Sequence, residues 1–379
     1  MDGLERYGHG GDRWTAGERF GKEPDSFLDF SANINPLGPP PQAMEVLSRA
    51  LSEPNPPVIS RYPDPVCRGL THQLARRLGV TPEEVLIGNG GAELIDSIHS
   101  VAAPRRVGVI HPSFAEYERA ARKRGLEILP LKTDWERGFL PGRGELLDWI
   151  REVDLAWVGH PNNPSGTLLS LEDLATAAEE AARRETVLAV DEAFLDFLPE
   201  PGEASLLPQL REFPTTILFR SMTKFYALPG LRLGYAVASK EWIGRLRRWQ
   251  APWSVNGPAQ LVGEAALQDR KFGERTRAWL AAERPFLLEG LRILPQVEVL
   301  PGEVNYFLLR LKLSTAGSES PSLWLQRELG ERGIMIRDGS TYPGLDGRYV
   351  RVAVRSREEN RRLLAALSEV LSSPGGIPL

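Results

Sequence analysis

The sequence predicts an α/β protein, with a large domain whose mainly parallel sheet is sandwiched by helices and a smaller C-terminal α+β domain. Three observations predict it. Between residues 85 and 220, short runs rich in Val, Ile and Leu alternate with segments of helical apolar spacing, as expected of buried parallel strands joined by crossover helices. The unusual polar and glycine-rich clusters of that region follow the strands at their carboxyl ends, where open sheets of this kind bind ligands. Beyond residue 257 the pattern changes to a long helical stretch and then to shorter strands, which reads as a second lobe.

The chain of 379 residues is long enough for both lobes. Three regions are expected: an arm over the active site at 1–40, a large domain at 41–260, and an interdomain helix with the small domain at 261–379. Hydrophobic residues at 42% and charged residues at 25% describe an ordinary globular composition. A net charge of −4 gives no electrostatic reason to expect nucleic acid or an anionic membrane as partner, so any bound anion must be held by local arginines. The single cysteine, Cys67, excludes an internal disulfide and a cysteine-ligated zinc site, and no metal site is expected. Met1 to Arg6 leads into glycines and charges, and no run approaches the roughly 20 apolar residues that span a bilayer, so a cytoplasmic protein is expected.

In chain order, the first forty residues are rich in Gly, Pro and Asn and read as a loop or arm with short extended pieces. Helical spacing at 40–54 and 66–79 flanks Ser60-Arg61-Tyr62-Pro63-Asp64-Pro65, which proline makes extended or turned. Val85-Leu86-Ile87 reads as a strand, Gly88-Asn89-Gly90-Gly91 as a turn, and Ala92 onward as a helix whose first N–H groups point back into the turn, a ready site for phosphate. Strands follow at Arg106 to Ile110, Leu126 to Leu131, Asp154 to Gly159, Thr186 to Val190 and Thr216 to Arg220, with helices at 115–124 and 171–184. Residues 257–292 read as one helical region broken weakly at Gly273. Strands near 296–300 and 304–311, a polar loop at 313–320, a helix at 321–332, strands at 333–337 and 349–355 and a helix at 357–372 make the second lobe. The Pro/Gly tail after 373 is expected to fray.

The chemistry-bearing stretch is Ser221-Met222-Thr223-Lys224, followed by Gly230-Leu231-Arg232-Leu233-Gly234. A lysine flanked by hydroxyls, with an arginine between glycines, offers an imine-forming amine beside an anion pocket, which is what pyridoxal phosphate requires of a protein. Asp191, at the carboxyl end of an apolar strand, is placed to keep a pyridine nitrogen protonated. Asn163 can donate to the ring's phenolic oxygen, and Phe114 offers a flat face to the ring.

This joint pattern of Gly-Asn-Gly, Pro-Asn-Asn-Pro-Ser-Gly, Asp-Glu-Ala-Phe and Ser-x-Thr-Lys resembles fold-type I pyridoxal-phosphate enzymes, the aspartate-aminotransferase-like group, over essentially the whole chain. The resemblance implies that Lys224 captures the cofactor and Asp191 pairs with its ring nitrogen. It assigns the phosphate to Gly90, Gly91, Ala92, Ser221, Thr223 and Arg232, the ring face to Phe114, and the phenolic oxygen to Asn163. Tyr62 matches a tyrosine that reaches the cofactor phosphate of the opposite subunit, so a homodimer is implied. Phe194 stands where most of the group has a tyrosine, whose hydroxyl would also meet the phenolic oxygen.

Within the group, the chain resembles the histidinol-phosphate aminotransferase branch and, inside it, the threonine-phosphate decarboxylase family. His9-Gly10-Gly11 with Asp29 to Gly38, Asp191 to Phe197, Pro252 to Asn256, Ile336-Arg337, Tyr342 to Asp346 and Tyr349 to Ser356 carry this likeness, and that family shares the phenylalanine at Phe194. It implies decarboxylation of L-threonine-O-3-phosphate to (R)-1-amino-2-propanol O-2-phosphate for cobalamin biosynthesis. Arg351 then faces the α-carboxylate and Arg337 an anionic group, with His9 and Asn33 at the substrate phosphate. A histidinol-phosphate-type aminotransferase using 2-oxoglutarate, or a phosphoserine decarboxylase, would use the same residues. A cofactor-binding regulator is disfavoured, because such regulators append a DNA-binding domain for which this chain has no basic helix-turn-helix.

Overall fold

The computed structural model describes residues 4–5, 8–315, 319–372 and 376–378. The arm is more ordered than its composition suggests, because residues Arg13–Phe20 form helix α1 instead of a loop. The Asp12 carboxylate accepts from Thr15 N at 3.0 Å to cap its start, and Gly21, at φ +62°, ends it in the left-handed conformation. Leu28–Asp29 is a short strand, β1. Helices α2 (Pro41–Leu51), α3 (Pro57–Ser60) and α4 (Arg68–Leu78) follow.

The large domain then alternates as expected: β2 (Val85–Asn89), α5 (Gly91–Ala102), β3 (Arg106–His111), α6 (Glu116–Arg122), β4 (Glu127–Lys132), α7 (Arg143–Ile150), β5 (Leu155–Gly159), α8 (Leu171–Arg184), β6 (Val187–Asp191) and β7 (Thr216–Ser221). After the lysine loop come β8 (Leu233–Val237) and α9 (Lys240–Trp249). The seven strands form one sheet in the order β2-β8-β7-β6-β5-β3-β4. All neighbours are parallel except β8, which runs antiparallel to both β7 and β2.

Alternate residues of each strand enter different cores. Ala156 and Val158 of β5 join one buried cluster while Leu155 and Trp157 join the other, as a strand covered on both faces requires. Trp157 is 1% exposed and stacks on Tyr117 at 4.5 Å between ring centres, so the α6 face of the sheet is filled by aromatic packing.

The helical region beyond residue 257 is two helices, α10 (Gly257–Gln268) and α11 (Arg270–Arg292). The break falls at Asp269, whose side chain accepts from Phe272 N at 3.0 Å and so starts a new helix; Gly273 lies inside α11 and is buried. The second lobe contains β9 (Val297–Leu300), β10 (Tyr306–Leu311), β11 (Leu313–Thr315), α12 (Pro321–Glu331), β12 (Ile334–Met335), β13 (Arg337–Asp338), β14 (Tyr349–Ala353), α13 (Arg357–Leu371) and β15 (Gly376–Pro378). Its antiparallel sheet has the order β13-β14-β10-β9. The tail does not fray throughout: Gly376–Pro378 pairs with Leu313–Thr315, within the stretch expected as a polar loop.

The arm is stitched to the second lobe. Strand β1 pairs parallel with β12, Phe30 N donates to Met335 O at 2.8 Å, and Ala353 N donates to Phe30 O at 2.9 Å. These bonds carry residues 31–39 back over the edge of the large sheet. Among the described residues no helix is long and apolar enough to cross a membrane, and no cluster of His, Cys, Asp and Glu could hold a metal ion.

Candidate active site

A cavity of about 830 Å³ opens where the arm, the large sheet and the second lobe meet. Sheet topology explains the convergence. The carboxyl ends of β3, β5, β6 and β7 lie on one edge, and because β8 is antiparallel its amino end, with Arg232 just before it, lies on the same edge. The pairing of β8 with β2 brings the start of α5 alongside.

One end of the cavity is an anion cradle. Gly91 and Ala92 begin α5, and the Ser221 and Thr223 hydroxyls face each other at 2.7 Å. Gly90, at φ +78°, does not itself line the cavity, but a Cβ there would fall 2.8 Å from Arg232 Nη2, and one at Gly234 would fall 2.6 Å from Gly91 N. Bare glycines thus let the arginine and the helix start approach the same space. Arg232 and Ala227 both hold positive φ without being glycine, an outlier pair on either side of the turn that leads from the lysine into β8.

Lys224 stands three residues beyond β7 and reaches into the cavity. The arm braces it, since Asn35 N donates to Lys224 O at 3.1 Å and Asn35 Nδ2 to Phe225 O at 2.9 Å. Desolvation, with Arg351, Arg232 and Arg337 nearby, holds its amine down to about 8. An amine so depressed is more often neutral and nucleophilic near neutral pH than a surface lysine.

Asp191, at the end of β6, accepts from Tyr117 Oη at 2.7 Å and from Ala193 N at 3.0 Å. Burial pushes its carboxyl up, opposed by those two donors. A cationic partner inside the cavity would restore the ionised form. Phe114 lines the cavity, with the His9 ring against it at 5.6 Å, and His9 Nε2 is 2.8 Å from Glu116 Oε1.

The second lobe supplies two buried arginines, Arg337 at 2% and Arg351 at 5% exposure, whose Cα atoms are directly paired across β13 and β14. Arg351 donates from Nη1 to Asn163 Oδ1 and from Nη2 to Ser31 O, both at 2.6 Å. Using Asn163 Oδ1 as acceptor leaves the Nδ2 of that amide to donate into the cavity. Arg337 donates from Nη2 to Gly8 O at 2.8 Å. Its Nε and Nη1, the Nε of Arg351 and both amide atoms of buried Asn33 have no hydrogen-bond partner among the described residues. Buried donors left open in this way are costly unless a ligand satisfies them.

Of the residues singled out from sequence, His9, Asn33, Gly91, Ala92, Phe114, Asn163, Asp191, Phe194, Ser221, Thr223, Lys224, Arg232, Arg337 and Arg351 line this cavity. Tyr62 does not: it is 82% exposed and packs at a tilt against Trp253, with ring centres 4.8 Å apart. Phe194 is buried edge-on against Tyr306, whose hydroxyl is committed to Asn162 O at 2.8 Å and so does not replace the hydroxyl that Phe194 lacks. Sequence reading missed the role of Tyr117 as donor to Asp191, a bond between residues far apart in the chain. It also assigned nothing to Tyr342, Arg355 and Asp29, which share the cavity wall.

The residues present fit pyridoxal phosphate: an amine, an anion cradle, a buried carboxylate and an aromatic wall line one cavity. Fold and site define a pyridoxal-phosphate-dependent enzyme of fold type I. Residues 25–367 match the model of class I and II aminotransferases, and the chain belongs to that family. A threonine-phosphate decarboxylase from Salmonella typhimurium is 42% identical over 96% of this chain and 96% of its own. Among solved structures, the histidinol-phosphate aminotransferase of Clostridium acetobutylicum is 29% identical over 90% of this chain and 98% of its own, with a TM-score of 0.81. The L-threonine-O-3-phosphate decarboxylase of Porphyromonas gingivalis is 28% identical over 91% and 99%, with a TM-score of 0.78.

Proposed function

We propose that this chain decarboxylates L-threonine-O-3-phosphate to (R)-1-amino-2-propanol O-2-phosphate and CO₂, supplying the aminopropanol linker of cobalamin in the cytoplasm. The observation that carries the reading is the pair of buried, incompletely bonded arginines facing each other across β13 and β14, which suits a substrate with two anions. The 42% identity to a decarboxylase of threonine phosphate, and the phenylalanine at position 194, favour loss of the carboxylate over transamination.

Pyridoxal phosphate, when bound, supplies the aldehyde that takes up an amino group and the ring that accepts the electrons released at Cα. Lys224 would be the amine that meets that aldehyde and the group placed to supply the proton that takes the place of CO₂ at Cα. Asp191, held by Tyr117, keeps a proton on the ring nitrogen. Gly90, Gly91, Ala92, Ser221, Thr223 and Arg232 hold the cofactor phosphate, Phe114 covers the ring, and Asn163 donates to the phenolic oxygen. Arg351 takes the α-carboxylate and Arg337, with His9 and Asn33, the substrate phosphate. Together these residues would set which bond at Cα is held ready to break when the cofactor is bound. The chain works as a homodimer in which Tyr62 reaches the partner's cofactor phosphate.

Mass spectrometry of products with and without 2-oxoglutarate tests the reading. Aminopropanol phosphate formed without any oxo acid supports it. Glutamate production that requires 2-oxoglutarate would replace it with an aminotransferase. Serine phosphate lacks one methyl, a difference worth about 1–3 kcal/mol in an apolar pocket, so it is expected to react as a poorer substrate.

A further inference from the structure

We propose that Tyr342 is a specificity-determining positioning residue: its ring is a shared platform that fixes the spacing of the Arg337 and Arg351 guanidinium groups, and through that spacing selects ligands with two anions. The inference rests on the two-anion reading above and deepens it. The Arg337 guanidinium carbon lies 5.1 Å from the Tyr342 ring centre and that of Arg351 lies 5.6 Å from it. Both distances are within cation–π range. Tyr342 is 4% exposed and lines the cavity, so its ring is held by packing at the cavity wall.

The two arginines need such a platform. They sit directly opposite on neighbouring strands, where like charges repel, and both are buried. Among the described residues the carboxylate paired with Arg337 is a distant one: Glu5 Oε1 is 3.9 Å from Nη1, beyond hydrogen-bond reach, and is itself occupied by Gln326 Nε2 and Asp338 N. Arg351 has Asn163 and Ser31 as acceptors and the Tyr306 ring at 5.2 Å, with no carboxylate among its described hydrogen bonds or ion pairs. The electron-rich face of Tyr342 is common to both cations. Burial pushes the Arg351 guanidinium down, and the charge of Arg337 beside it adds to that. A ring that attracts both charges holds their free N–H groups at one separation before substrate arrives, and preorganisation of that kind favours a ligand whose own anions match.

The test compares wild type, Tyr342→Leu, Tyr342→Phe and Arg337→Met as holoenzymes. Tyr342→Leu is expected to raise KM for L-threonine-O-3-phosphate by about tenfold, the scale of losing two partly desolvated cation–π contacts. Its kcat and cofactor Kd are expected to stay near wild type. Calorimetric affinity for inorganic phosphate, which needs only one arginine, is expected to change less than about threefold, the scale of weakening one such contact. Tyr342→Phe keeps the ring and is expected to restore KM to within about twofold. Equal losses for substrate and inorganic phosphate, or a Phe variant as impaired as Leu, would overturn the proposal. Arg337→Met separates the levels: if it raises KM and Tyr342→Leu does not, the platform fails while the two-anion reading stands. If it leaves KM unchanged, the two-anion reading fails and the platform with it.

Discussion

Lys224 shows how a single residue's titration follows from its neighbours. Its amine is brought down to about 8 from 10.5, first by desolvation and then by Arg351, Arg232 and Arg337, with Asp29 opposing. Because the folded value is the lower one, the folded apo-protein bears the cost of a desolvated ammonium below about 8 and recovers it as pH rises from about 8 toward 10.5. The rate at which apo-protein captures the cofactor aldehyde is therefore expected to rise through a midpoint near 8, and Arg351→Met is expected to move that midpoint upward. Stopped-flow absorbance against pH measures both, and an unmoved midpoint would mean that Arg351 does not act on the amine. The lysine and Asp191 were legible in sequence because each sits in a short motif at the end of a strand. Tyr117 was not, because its bond to Asp191 joins residues 74 positions apart through the packing of α6 on the sheet. Tyr342 was visible only as part of a likeness, since two arginines sharing one ring is a property of strand register.

At the level of elements, the sequence motif Gly230-Leu231-Arg232-Leu233-Gly234 makes its two glycines look equivalent, and the fold separates them. A Cβ at Gly230 would meet nothing within 4 Å, whereas one at Gly234 would lie 2.6 Å from Gly91 N and 3.0 Å from Arg220 O, wedging β8 away from α5 and β7. Gly234→Ala is accordingly expected to cost about 1–3 kcal/mol of stability as backbone elements shift, and to weaken cofactor binding at least tenfold by opening the cradle. Gly230→Ala is expected to change neither, and thermal melts with cofactor titrations read both variants. Equal behaviour of the two would remove the argument that close approach shapes the cradle. Other elements escaped the sequence for similar reasons. Helix α1 was hidden by glycines whose value lies in close packing, as at Gly17, where a Cβ would meet Lys22 O at 2.8 Å. Propensity predicts one helical region at 257–292 broken weakly around Gly273, but the capping carboxylate of Asp269 sets the break and outweighs a single glycine.

At the scale of the whole molecule, Tyr62 is expected to reach the opposite subunit's cofactor phosphate, and it does not line its own chain's cavity. Met44 and Leu51 on α2, Ile59 on α3, then Tyr62, Val66 and Trp253 are all large hydrophobic residues left more than a third exposed, and α2 and α3 both pack on α10. Exposed apolar side chains gathered on neighbouring helices suit a symmetric interface, and an isologous one would carry Tyr62 of each chain toward the other's cradle. Mixed dimers test the exchange. Lys224→Ala abolishes the amine in its own chain but keeps Tyr62; Tyr62→Ala keeps the amine and loses the tyrosine. Neither homodimer has an intact site. If Tyr62 acts across the interface, each mixed dimer assembles one complete site, because the Tyr62→Ala chain receives its tyrosine from the Lys224→Ala chain. Refolding the two variants together is therefore expected to restore tight cofactor binding and turnover in about one quarter of all sites under random pairing. If Tyr62 acts within its own chain, mixing restores nothing, since no chain then holds both residues. Restoration in proportion to the fraction of mixed dimers, measured after separating them by affinity tag, would place Tyr62 in the partner's site.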